Sequence, residues 1–184
     1  MYPSPTRLQF DFGDLERRME GAFREGHFNG VATIVSKLFH LVNPNKAYFG
    51  QKDLQQFMIV KALVEDLFFD IELRCCPIVR EKDGLAMSSR NVRLDAQARP
   101  QANQLYQALL LGQKALKQEN QSLVQAKEMV KQHLQAFEFI ELEYFEVVNS
   151  ENLQPIQSLK EASQISLCIA AYLGEIRLID NLFC

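Results

Sequence analysis

Apolar residues recur at three- and four-residue spacing through Val31, Ile34, Val35, Leu38, Leu41 and Val42, with Ser36, Lys37 and His40 mainly on the other side. That period predicts an amphipathic helix with its apolar stripe inward, capped by Asn29 and ended by Pro44. Ahead of it, Leu8-Gln9-Phe10-Asp11-Phe12 alternates like a short strand, Gly13-Asp14 opens a short helix through Glu20, and Gly21 to Gly30 reads as loop. After it, Ala47-Tyr48-Phe49 reads as a short buried strand, and Asp53 stands where it would cap a helix running to about Asp66. Ile71, Leu73 and Cys75 alternate with Glu72 and Arg74, so Ile71 to Cys76 reads as a second strand, stopped by Pro77. Strand, helix and strand in this order predict a parallel-sheet unit.

The pattern changes near Leu94. Residues 95–136 are rich in Gln, Ala, Leu and Lys and predict two helices, broken near Glu119-Asn120-Gln121. Leu105, Leu109 and Leu116, then Leu123, Met129, Val130 and Leu134, read as core positions. Phe139 to Val148 alternates like a strand, with Ile140, Leu142, Tyr144 and Glu146 on one side, and Ile165–Leu173 with Glu175–Ile179 predicts a hairpin about Gly174. The fold expected is α/β in residues 1–93, followed by a small α+β domain with an antiparallel sheet in residues 94–184.

Composition narrows the function classes. The 184 residues suffice for one large domain or two small ones, and 47% are hydrophobic, ample for a core. The net charge of -3, with Lys and Arg dispersed, argues against a surface for DNA or RNA. No apolar run approaches the roughly 20 residues that span a bilayer, and Met1-Tyr2-Pro3-Ser4-Pro5 lacks a signal-peptide pattern. Cys75, Cys76, Cys168 and Cys184 have no zinc-ligand spacing, and the adjacent pair suits no ordinary disulfide, so free thiols in a reducing cytoplasm are expected. Cys75 and Cys168 are expected to be buried.

Candidate chemistry concentrates in two runs. In Phe49-Gly50-Gln51-Lys52-Asp53-Leu54-Gln55-Gln56, a glycine, a cation and a carboxylate fall where a strand ends and a helix begins. Such a corner binds phosphate through free backbone N–H groups and the helix dipole. Gly50 admits close backbone approach, and Lys52 brings full charge to a phosphate oxygen. Asp53 either caps the helix or accepts from a ribose hydroxyl, and Gln56, one turn on, offers an amide to a polar co-substrate. These residues alone fit an ordinary capped surface turn equally well. In Asp83-Gly84-Leu85-Ala86-Met87-Ser88-Ser89-Arg90-Asn91, two hydroxyls and a fork-shaped guanidinium suit a developing pyrophosphate; on its own this run fits a solvated, mobile loop better. Arg80-Glu81-Lys82-Asp83 reads as a solvated charge run, His40 and His133 as helix-surface residues, and His27 as a loop residue for which a structural hydrogen bond is at least as good an account as a site.

Taken in order, Gly26-His27-Phe28-Asn29-Gly30-Val31, the Phe49–Gln56 run, and Val79 through Asn91 resemble the pantoate–β-alanine ligase (pantothenate synthetase) family, and Ala170-Ala171-Tyr172-Leu173-Gly174 with Arg177-Leu178-Ile179-Asp180-Asn181 is similar to that family's C-terminal hairpin. The resemblance covers essentially the whole chain. It implies a Rossmann-like nucleotidyltransferase domain and the ATP- and magnesium-dependent joining of pantoate to β-alanine. In that reaction the pantoate carboxylate attacks the α-phosphate, giving pantoyl adenylate and pyrophosphate, and the β-alanine amine then displaces AMP. It further implies that Gly50, Gln51, Lys52 and Asp53 touch ATP, that Val79 lies near adenine through its backbone, and that Met87, Ser88, Ser89 and Arg90 form the phosphate loop. Gln56 would hold pantoate, and Lys52, Ser88, Ser89 and Arg90 would stabilise the adenylation transition state. No protein ligand for the magnesium is identified. A homodimer is implied for the full-length protein.

Two departures stand out. Gln51 replaces a glutamate common in the family, removing a charge and keeping the size. The family's Met-Gly-x-Leu-His-x-Gly-His type motif is absent, so the chain is expected to correspond to the C-terminal part of the enzyme. On its own it is expected to be inactive, a binding or association module. Another nucleotidyl transferase with a different acid substrate is the remaining alternative.

Overall fold

The computed structural model describes residues 6–118 and 122–184, which divide into two compact units, Met1–Pro77 and Ile78–Cys184. In the first, a 3-10 turn (Gly13–Leu15) leads to the one-turn helix α1 (Glu20–Phe23) and to α2 (His27–Val42). Strand β1 (Lys46–Gly50), a 3-10 turn (Gln51–Asp53), α3 (Leu54–Asp66) and strand β2 (Glu72–Cys76) follow. β1 and β2 pair in parallel, Phe49 opposite Cys75 and Gly50 opposite Cys76. The strand–helix–strand unit is therefore present as expected, but β1 is not the buried strand expected: none of its residues is buried, and Tyr48 is exposed. Ile59, Val60 and Leu63 of α3 are fully buried and supply this unit's core.

Several local expectations fail here: the helix expected through Glu20 is only the 3-10 turn Gly13–Leu15, and the loop expected over Gly21 to Gly30 holds most of α1 and the start of α2. Residues 8–12 form no strand, because the Phe10 N–H donates to the Asn29 side-chain oxygen (2.9 Å) and not to a neighbouring strand. Asn29 is thus inside α2 and is no cap; the helix starts after Gly26, in the left-handed region. The face of α2 differs as well. Phe28, Ala32, Ser36 and Phe39 are buried, whereas Ile34, Leu38, Leu41 and Val42 of the expected stripe are exposed. An α-helix sequence with apolar residues on more than one side does not fix which side its neighbours cover. The C-terminal end is as expected: Asn43 closes α2 in the left-handed region, its N–H on the Phe39 carbonyl (2.8 Å), and Pro44 follows.

In the second unit, α4 (Gln104–Leu116) and α5 (Leu123–Gln135) pack on an antiparallel sheet of β3 (Ile140–Asn149), β4 (Ile165–Leu173) and β5 (Ile176–Phe183), in the order β3-β4-β5. The expected helix break at Glu119–Gln121 lies outside the described residues. Ser122 caps α5 in a capping box with Gln125. Leu105, Leu109, Leu116, Val130 and Leu134 are buried and Leu123 and Met129 pack against them, all in the core as expected. The central strand β4 is buried at every position except Tyr172.

β3 departs from simple alternation. Its register passes from Leu142↔Ala171 to Tyr144↔Ala170, leaving Glu143 as the extra residue of a β-bulge. A bulge reverses the parity of the inward positions. Ile140 is buried before it, but Phe145 and Val147 are buried after it, so Tyr144 and Glu146 do not continue the face of Ile140 and Leu142. Cys168 is buried and Cys75 is exposed, correcting half of the cysteine expectation; none of the four cysteines is in a disulfide. Among the described residues no helix is long and apolar enough to cross a membrane.

Candidate active site

The first unit carries Gly50, Gln51, Lys52, Asp53 and Gln56 on one strand-to-helix corner. β1 ends at Gly50, the 3-10 turn holds the next three residues, and α3 begins at Leu54. Gly50 is extended (φ -75°, ψ 134°) and a Cβ built there meets nothing within 4 Å. The fold itself therefore does not demand glycine, and what the missing side chain leaves is bare backbone at the mouth of the corner. The Lys52 side chain is 21% exposed, and its Nζ lies 3.2 Å from both carboxylate oxygens of Asp53. Asp53 occupies the N-cap position of α3 without a side-chain capping bond, so the expected cap is not made and the carboxylate faces the lysine instead. Gln56 is half-buried, and its amide has no side-chain hydrogen-bond partner among the described residues.

Gln55, in the same run, has a different task. It is 4% exposed; its oxygen accepts from the Glu20 N–H (2.9 Å) and its nitrogen donates to the carbonyls of Leu15 and Arg18 (2.8 Å each). It ties the irregular stretch before α2 to the start of α3, and nothing in its spacing announces this.

The second unit carries Val79, Met87, Ser88, Ser89 and Arg90. Residues 79–87 form a small hairpin: the Met87 N–H donates to the Val79 carbonyl (2.9 Å), the Glu81 N–H to the Leu85 carbonyl (2.8 Å), and Arg80 bridges Ala86. Val79 and Met87 expose their side chains. The Ser88 hydroxyl accepts from the Arg90 N–H (3.2 Å), and the Asn91 N–H closes on the Ser88 carbonyl (3.0 Å), giving a tight turn. Ser89 is exposed. Arg90 Nη1 donates to the Arg177 carbonyl on β5 (3.0 Å). A guanidinium has five N–H donors, so a fork remains for an anion.

The charge run before the loop is only partly solvated: Arg80, Glu81 and Asp83 are ion-paired, whereas Lys82 is exposed. Arg80 binds the Asp180 carboxylate with both terminal nitrogens (2.6 and 3.0 Å), reaches the Gly84 carbonyl (3.0 Å) and lies 3.8 Å over the Tyr106 ring. Arg99 pairs with Glu81 and with Asp83, each at 2.6 Å. The Arg99 hydrogen bond holds the Asp83 carboxyl below the usual carboxylate range, helped by the Leu85 N–H. Buried Asn91 donates to Glu81 (2.6 Å) and to the Ala86 carbonyl (3.0 Å). The partners of this run lie up to a hundred residues away, beyond any local pattern. Among the described residues no group of three or more His, Cys, Asp or Glu forms a metal site.

The sequence profile of the pantoate-beta-alanine ligase family matches residues 1–183. The chain belongs to that family. It is 48% identical over 181 residues to the pantothenate synthetase of Cytophaga hutchinsonii, covering 98% of this chain and 64% of that protein. It is 44% identical over 182 residues to that of Bacteroides fragilis, covering 99% and 64%. The chain thus spans just under two thirds of the length of these relatives. Among solved structures it superposes on Thermus thermophilus pantothenate synthetase with a TM-score of 0.91 at 42% identity, covering 99% of this chain and 65% of that one. It superposes on a Francisella tularensis pantoate-beta-alanine ligase, complexed with beta-gamma ATP and beta-alanine, with a TM-score of 0.71 at 30% identity, covering 98% and 60%. The parallel strands of the first unit and the antiparallel sheet of the second are the fold shared with this ligase family.

Proposed function

We propose that this chain supplies residues for the ATP-dependent ligation of pantoate and β-alanine to pantothenate, through a pantoyl adenylate. Family membership supports the reaction, and the Gly50-Gln51-Lys52-Asp53 corner carries the assignment: it keeps a glycine that the fold does not require, beside a lysine paired with Asp53. In this reading Lys52 exchanges its bond with Asp53 for a phosphate oxygen as charge builds on the transferring group. Ser88, Ser89 and the remaining fork of Arg90 bind the departing pyrophosphate, Val79 and Met87 border the nucleotide, and the partnerless amide of Gln56 takes pantoate. Holding the pantoate carboxylate and the α-phosphate in line is the larger part of the catalysis.

The described residues provide no cage for a divalent ion. Magnesium is proposed on the family resemblance, arriving with the ATP phosphates. The functional division is proposed at 93/94, with residues 79–93 serving the nucleotide although they group with the second compact unit. A cytoplasmic homodimer is proposed on the family resemblance, and the exposed Ile34, Leu38, Leu41 and Val42 face of α2 fits burial against further protein.

The test joins the chain to the part of the Cytophaga hutchinsonii synthetase that it does not match, in that protein's own order, and measures AMP release. Release that needs both pantoate and β-alanine supports the reading; release with other acids in place of pantoate overturns it. The chain alone, assayed beside the fusion, decides whether it is active without that part.

A further inference from the structure

We propose that Asp180 is a positioning residue for the Met87–Arg90 loop, acting through Arg80; the role rests on the functional reading above. The arms of the hairpin of residues 79–87 meet through the Arg80–Ala86 bridge. Arg80 sits in the first arm, and its guanidinium makes three kinds of contact at once. Both terminal nitrogens engage Asp180 on β5, one of them also takes the Gly84 carbonyl at the hairpin tip, and the flat face rests on Tyr106 of α4. A two-pronged guanidinium–carboxylate contact fixes orientation as well as distance. One side chain therefore ties the hairpin tip to β5 and to α4.

Asp180 is 3% exposed at its side chain. Its carboxylate also accepts from the Asn181 N–H (2.8 Å), and a carboxylate this buried holds its charge through such donors together with the Arg80 guanidinium. The far side of the loop is referenced to the same strand, since Arg90 donates to the carbonyl of Arg177, three residues before Asp180. Both flanks of Ser88-Ser89 are thus set by β5. The Arg177-Leu178-Ile179-Asp180-Asn181 run, which carries family likeness and no assigned contact with substrate, is the datum from which the loop is held.

Two variants test this, Asp180→Asn and Arg80→Lys; the second retains a positive charge for Asp180 and serves where the first does not fold. Hydrogen exchange on the full chain should rise at the amides of residues 84–91 while those of β3, β4 and β5 stay protected. In the fusion described above, pantoate-dependent ATP–pyrophosphate exchange should slow by about tenfold or more, with the KM for pantoate changed by less than about twofold, the split expected when only transition-state contacts are lost. A loss of folded protein alone would not spare the sheet amides. Unchanged loop exchange in both variants overturns the proposal. So does faster loop exchange with an unchanged reaction when Ser88→Ala slows it. If Ser88→Ala is silent too, the assignment of the loop to ATP falls, and the positioning role falls with it.

Discussion

Glu143, the extra residue of the β3 bulge, accepts from Arg177 Nε at 3.2 and 3.0 Å, and the carbonyl of that same arginine holds the Arg90 guanidinium at 3.0 Å. Both members of the pair are about one tenth exposed at their side chains. Removing one charge breaks a buried, multiply hydrogen-bonded ion pair, which costs more than losing a surface pair. Glu143→Gln should therefore lower the unfolding free energy in urea by about 3 kcal/mol. A loss below about 1 kcal/mol would place the pair among ordinary surface pairs.

Gly84 should tolerate no side chain. Its φ is +95°, and a Cβ there would stand 2.6 Å from the Tyr106 ring that supports Arg80. Gly84→Ala combines backbone strain with a clash and should destabilise the chain by about 2 kcal/mol. Tyr106→Leu in the same background should return part of that loss by removing the clash and leaving the strain. Thermal unfolding of the two single variants and the double variant checks this; purely additive losses would contradict it.

Acid should loosen the hairpin. The Asp83 carboxyl is held below its ordinary range, first by Arg99 and then by the Leu85 N–H. A depressed carboxylate contributes stability that is fully present above its unfolded value, near 3.9, and is lost as pH falls through the lower folded value. Both side chains are one third exposed, so solvent screens the pair and the effect is small and local. The Leu85 amide NMR shift should titrate from about pH 4 downward and should stay flat there in Asp83→Asn. A midpoint above the ordinary carboxylate range would reverse the sign of this account.

Where the architecture was legible, a repeating local rule wrote it. Ala47–Phe49 and Ile71–Cys76 flank a helix-length segment, and the parallel pair β1–β2 follows from that order. Leu105, Leu109, Val130 and Leu134 hold a 3.6-residue period because they face one core. The failures share a cause of a different kind. The Glu143 bulge changes parity inside one strand, and no residue type there signals it. Arg80 reads as a solvated charge because its partner, Asp180, is a hundred residues away. On α2, Ile34 and Leu38 look like core, but which face is covered depends on what packs there. Of the candidate site, residue types and order were legible as a family pattern. The anchoring of the second loop by Arg80, Asn91 and Arg99 was not, since those contacts exist only after folding.

Lys52 carries the central claim. Its Nζ, 3.2 Å from Asp53, is the cation that the account assigns to the transferring phosphate. The decisive measurement is pantoate-dependent ATP–pyrophosphate exchange in the fusion protein with and without Lys52→Ala. The account predicts a fall in turnover of about a hundredfold or more, with the apparent affinity for ATP changed by less than about tenfold. Unchanged turnover in Lys52→Ala would contradict it.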